Sequence, residues 1–95
     1  LGNIMAITKE NKTIQVDVYG DYKIIQHAFE VIIKEDGNII SITRHRTSFH
    51  PTDDISMQPD EVKEVANAVW TDAIKKKWTD MRTAQEEEDK KMREL

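Results

Sequence analysis

Asp36-Gly37 stands between two long runs rich in β-branched residues, YKIIQHAFEVIIK before it and NIISITRHRTSF after it. Such a dipeptide between apolar runs predicts a two-residue type I′ hairpin. Both central residues of that turn take positive φ, which Gly adopts freely and Asp tolerates. The middle of the chain is thereby committed to antiparallel sheet. Upstream, KTIQVDVYG alternates, with Ile14, Val16 and Val18 on one face and Gln15, Asp17 and Tyr19 on the other. That is the period of a half-buried strand, and Gly20-Asp21 supplies the turn after it. YKIIQHAFEVIIK is long for one flat strand, and its apolar residues fall on both faces: Ile24 and Ile25 first, then Phe29, Val31, Ile32 and Ile33. A change of buried face partway predicts a bend or bulge near residues 26–28, the device by which small sheets curl toward barrels. In the next strand Ile40 and Ile42 share one face, and Ser41, Thr43 and His45 the other. NIMAIT near the start adds an edge strand.

Pro51 ends the strand region, and residues 50–58 read as a loop. Pro59 sits where a helix begins readily, and Asp60 and Glu61 in the first turn complement the helix dipole. From Val62 the apolar period changes from two to 3.6: Val62, Val65, Ala66 and Val69 form one stripe, and Trp70, Ile74, Trp78 and Met81 continue it. Trp70 and Trp78, eight apart, fall on nearly the same face and are expected to pack the helix on the sheet or on a second subunit. Thr71-Asp72 offers a fresh N-cap, so one kinked helix and two short ones both fit. Residues 82–95 differ in kind. Glu86 with Lys90 and Glu87 with Lys91 are i,i+4 pairs, and the only apolar residues are Ala84, Met92 and Leu95. This tail reads as a solvated helical extension. The expected fold is α+β, mainly β: a strongly bent antiparallel sheet or small barrel of three to five strands at about residues 3–49. The loop, a helical region at 59–81 and the charged tail complete a single domain spanning residues 1–95.

Ninety-five residues bury a thin core. The chain has no cysteine, so neither disulfides nor thiolate metal sites reinforce it. A small domain without such staples borrows burial from a partner, and homo-oligomerisation is expected. No apolar run approaches the roughly 20 residues of a membrane span, so a soluble, cytoplasmic chain is expected. Met5 is the expected start, which leaves residues 1–4 without a structural role. Up to His50, six Lys/Arg balance six Asp/Glu; from Pro51 onward, eight face twelve. The net charge of −4 therefore argues against non-specific DNA binding, which needs a cation surplus.

The stretch TRHRTSFHPTDDIS concentrates the chain's reactive side chains. His45, His50, Asp53 and Asp54 carry metal donors, but His45 and His50 have neither strand nor helix ligand spacing, and no metal or other cofactor is expected. Asp53 and Asp54 read as loop stabilisers through side chain to backbone bonds. His and Asp beside Ser48 or Ser56 could form a hydrolase triad, yet no nucleophile elbow, phosphate-cradling loop or paired-carboxylate motif accompanies them. No enzyme activity and no small-molecule substrate are expected. Arg44, His45, Arg46 and His50 place cations at a strand end, with Tyr19, Tyr22 and Phe49 as stacking rings, the combination that holds single-stranded nucleic acid. Alternatively the arginines guard a sheet edge or pair with a neighbour's carboxylates. His27 reads as a packed, hydrogen-bonded histidine, and Lys75, Lys76 and Lys77 as a solvated face.

HRTSFHPTDDISMQPDEVKEVANAVWT resembles small uncharacterised proteins of marine metagenomes attributed to cyanophages, over roughly residues 16–78. The resemblance implies an Sm-like (SH3-like) barrel that assembles edge to edge into a homo-oligomeric ring and binds RNA in the host cytoplasm. The chain lacks the Gly, Asp and Asn pattern of the first Sm loop and the Arg-Gly pair of the second. Its long helix also follows the strands, where Sm proteins carry a short helix before them. No RNA-contacting residue is therefore carried over. The alternative expectation is a virion or tail-associated structural protein without nucleic-acid binding.

Overall fold

The computed structural model describes residues 6–94. Three strands, β1 (Ile7–Tyr19), β2 (Ile24–Glu35) and β3 (Asn38–Phe49), form an antiparallel sheet in sequence order, followed by helices α1 (Asp60–Val69) and α2 (Asp72–Arg93). The fold is α+β with an open sheet: β1 and β3 are its edges among the described residues. Of the expected N-terminal edge strand at residues 3–8, residues 3–5 lie outside the described residues, as do residues 1–4 before the expected start. Ile7 and Thr8 belong to β1 itself, paired with Glu35 and Lys34.

The Asp36-Gly37 hairpin forms as its sequence requires. Glu35 pairs with Asn38 across a two-residue turn, with φ of 50° at Asp36 and 84° at Gly37. Asp36 also clasps the start of β1: its N–H donates to the Ala6 carbonyl (2.9 Å), and its Oδ1 accepts from the Ala6 N–H (3.0 Å). The turn at residues 20–23 puts Gly20 (φ 70°) and Lys23 (φ 52°) in the left-handed region.

The expected bulge is not in β2. The register shifts lie in its neighbours: Ile14 is an extra residue in β1 opposite Ala28 and Phe29, and Ile40 an extra one in β3 opposite Ile33 and Lys34. Nor does β2 change its buried face. Ile25, His27, Phe29, Val31 and Ile33 form one unbroken inward stripe, because cross-strand partners share a face and the parity never slips within β2. The bulge does split the apolar set of β1. Val16 and Val18 stay inward, opposite His27 and Ile25, while Ile14 joins the opposite, outer face beside Arg44 and Arg46.

The core is small and sits at one end of the sheet. Ile25, Phe49, Val62, Ala66 and Trp70 are buried, with Val16, Ile55, Val65, Val69 and Ile74 packed against them. Pro59 opens α1, its carbonyl accepting from the N–H groups of Val62 and Lys63. The helical region is two helices. α1 stops at Trp70, and Thr71 caps α2 by accepting from the Ile74 N–H at 3.2 Å. The two tryptophans therefore belong to different helices. Trp70 lies in the core and donates its indole N–H to the Lys23 carbonyl (2.7 Å), whereas Trp78 is half-buried on α2.

α2 runs unbroken from Asp72 through the charged tail, and none of its residues is buried. Its ends rely on local chemistry: the Thr71 cap, the Lys76–Asp80 ion pair (2.7 Å), and Lys90, Lys91 and Arg93 at the negative end of the dipole. Deleting residues 82–95 is expected to leave the melting temperature within a few degrees, measured by circular dichroism. A collapse in stability would mean that the distal half of α2 packs on a second molecule.

Candidate functional site

A strand sends successive side chains to opposite faces, so Arg44 and Arg46 point one way and His45 the other. Arg46 shares a cross-strand row with Gln15 and Ala28, and Arg44 with Lys12 and Glu30, all on the outer face, away from the helices. Ala28 is small, and the gap it leaves between taller neighbours is a shallow groove of about 360 Å³. Ile14, Gln15, Arg44 and Arg46 are among its lining. The Arg44 side chain is 84% exposed and reaches Glu30 at only 3.9 Å. Arg46 has no carboxylate within ion-pair distance among the described residues. Toward the adjacent turn, Asp17 accepts from Gln15 Nε2 (2.9 Å) and from the Tyr19 hydroxyl (3.2 Å), which ties the half-exposed Tyr19 ring to the sheet surface.

Of the other four expected site residues, His45 also contributes to the groove's lining, while Phe49, Tyr22 and His50 lie elsewhere. His45 faces inward, with its ring stacked on Phe29 (5.4 Å between centroids) and its Nε2 3.1 Å from Thr43 Oγ1. Phe49 is 8% exposed in the core, so the expectation that it stacks on a base is corrected: its ring is spent on Ile25 and α1. Tyr22 and His50 meet instead around Trp78. His50 lies parallel to the indole at 4.7 Å, and Tyr22 approaches its edge at 5.6 Å. Lys77 Nζ sits 5.6 Å from the Tyr22 ring centre and Arg82 6.0 Å from that of Trp78. This second cluster docks the start of α2 on the loops; Lys75, Lys76 and Lys77 are all exposed, as expected, and Lys77 also lies over the Tyr22 ring. The missed members have different reasons. Trp78 and Arg82 follow from helical spacing once α2 is known to start afresh, but Ile14 and Ala28 depend on the bulge, which has no local signature.

The loop carboxylates act on the backbone. Asp53 Oδ2 accepts from the His50 N–H at 2.7 Å and lies 3.2 Å from His50 Nδ1. Asp54 accepts from the Ser56 N–H at 2.9 Å, and that bond, joined by the Ser56 side chain, holds its carboxyl below the usual carboxylate range. Among the described residues, no three His, Asp or Glu side chains are grouped to hold a metal ion, and no helix is long and apolar enough to cross a membrane. The chain matches no family model, no curated protein and no solved structure.

His27 is the one buried polar side chain among the described residues, 3% exposed. Its Nε2 is 2.9 Å from Thr13 Oγ1, and its ring stacks on Phe29 at 4.9 Å. Burial disfavours its charged form and lowers its pKa below the usual value, with Glu61 opposing more weakly. The unfolded chain therefore binds this proton more readily. Stability from this site is present above about pH 6.5, the unfolded value, and is lost as pH falls below it toward the folded pKa. The Asp54 effect lies in a more acidic window. Melting temperatures at pH 7.5 and 5.5 are expected to drop for the wild type and to drop less for His27→Gln. An equal drop in both would remove His27 as the cause.

Proposed function

We propose that the protein is a non-enzymatic, self-assembling module of Sm-like type whose outer sheet face binds single-stranded RNA. One observation carries this reading. Arg44 and Arg46 stand side by side on the same face of β3 over a groove floored by Ala28, with Arg46 unpaired and Arg44 barely paired. Guanidinium groups in that state are available to phosphate oxygens, which they hold in bidentate fashion. The Tyr19 ring, two cross-strand rows beyond Arg46 on the same face, offers a stacking face for a base. In this reading β1 of one copy meets β3 of the next, and several open sheets close into a barrel-walled ring that sums a modest patch into a continuous basic rim.

A second reading rests on a different observation. The accessible surface is 7401 Å², where a compact chain of 11.1 kDa would expose about 5,700 Å². A subunit of a larger particle, a virion in the resemblance above, would bury such an excess on its neighbours, and Arg44 and Arg46 would pair with their carboxylates.

Arg44→Ala with Arg46→Ala separates the two. If RNA is the ligand, affinity for a single-stranded oligonucleotide falls and the slope of log affinity against log salt flattens by about 1–2 units, from roughly 0.7 per phosphate contact on a single strand. If the arginines pair between subunits, the double variant lowers the assembly's melting temperature instead, and any RNA retention is unchanged.

A further inference from the structure

The inner face of the sheet is built to be covered along its whole length, yet the chain covers only half of it. Ile25 and His27 lie beneath α1 and its flanking loop; Phe29, Val31 and Ile33 continue the same stripe and stay half-exposed. The apolar stripe of β2 continues through both halves, whereas its distal neighbours on β1 and β3 are polar: Thr13, Asn11, Lys9, His45, Thr43 and Ser41. Over the three cross-strand rows centred on Phe29, Val31 and Ile33, the inner face carries one formally charged side chain, Lys9. The three outer rows alternating with them carry five: Lys12, Glu30, Arg44, Glu10 and Lys34. A sheet whose inner face stays nearly free of charge along its central strand, with helices at one end only, lacks half of its second layer.

We propose that a second copy of this chain supplies that layer, the two sheets stacking inner face to inner face through their distal halves about a two-fold axis. Area argues for it. The radius of gyration is 19.5 Å, against about 12 Å for a compact chain of this length. The excess surface of roughly 1,700 Å², shared between the bare α2 and the uncovered sheet, is about twice the ~800 Å² per partner of a standard interface. The fold also selects the arrangement. Stacked sheets and a helix on a sheet both form layers about 10 Å apart, so a partner's sheet fits in the layer that α1 occupies. With the strands of the two copies running the same way, the two α1 helices would collide. Running oppositely, the helices lie at the two ends and the distal halves meet between them. Polar Thr43, Ser41 and Asn11 flank the central stripe, and the one charge beside it, Lys9, stands on the edge strand β1, where its long side chain reaches solvent. The pairing leaves Arg44, Arg46 and both sheet edges free, so it stands or falls independently of RNA binding.

The test is mass by light scattering after gel filtration, for the wild type and for Val31→Lys with Ile33→Lys. Both side chains are half-exposed in the isolated chain, so the charges are tolerable there and excluded at the interface. The wild type is expected at an even multiple of 11.1 kDa and the variant at half that mass, with Trp70 fluorescence unchanged. A monomeric or odd-numbered wild type would overturn the proposal, as would a natively folded variant of unchanged mass. If the double variant loses its native fluorescence, Ser41→Arg, an exposed position on the same face, makes the same demand. It is expected to halve the mass, and an unchanged mass would overturn the proposal. Oligonucleotide affinity per chain, where present, is expected to survive these substitutions.

Discussion

The fold hangs on the seat of Trp70. Its ring closes the core beneath the end of α1, beside Ile25, Val62 and Ala66, and its N–H donates to the Lys23 carbonyl across 47 residues of chain. That carbonyl is offered by a left-handed lysine at the foot of β2, so one hydrogen bond joins the turn, the sheet and the helix end. A buried donor left unpaired costs about 1–3 kcal/mol, a large share of the stability of so small a domain. Trp70 also ends α1 and lets Thr71 start α2 in a new direction.

The same arrangement limits what one chain can do alone. Ten residues of α1 span about 15 Å, while twelve residues of β2 span about 40 Å. The helix cannot reach the far end of the sheet, and α2 turns away without burying a side chain. The amphipathic stripe of β2 therefore outruns its cover. The outer face exposes Ile14, Ile39 and Ile42 as well, but sets them among charges that are solvated or locally paired, as Lys34 and Glu10 are at 3.1 Å. A division of labour follows from this geometry, with the inner face for assembly and the outer face for a ligand.

Features that depend on neighbours in sequence were legible in it. Asp36-Gly37, the Pro59 start, the Thr71 cap and the loop bonds of Asp53 and Asp54 need only a few residues to specify them. Features set by pairing were not. That His27 is packed and hydrogen-bonded could be read from its place in a strand, but its partner, Thr13 on the neighbouring strand, could not. The bulge at Ile14 is invisible without its partner strand, and it decides which residues line the groove beside Arg44 and Arg46. Arg44, His45, Arg46 and His50 read as one basic cluster because they are close in sequence. The strand and the loop after it distribute them over the outer face, the inner face and the Trp78 cluster.

Amide hydrogen exchange along β2 at several protein concentrations tests the central claim most directly. The amides near Ile25 and His27, beneath the chain's own helix, are expected to keep the same protection at every concentration at which the protein stays folded. Those near Val31 and Ile33 are expected to gain protection as concentration rises and the second layer forms. Equal, concentration-independent protection over the whole of β2 would contradict the account, because the distal half would then need no partner.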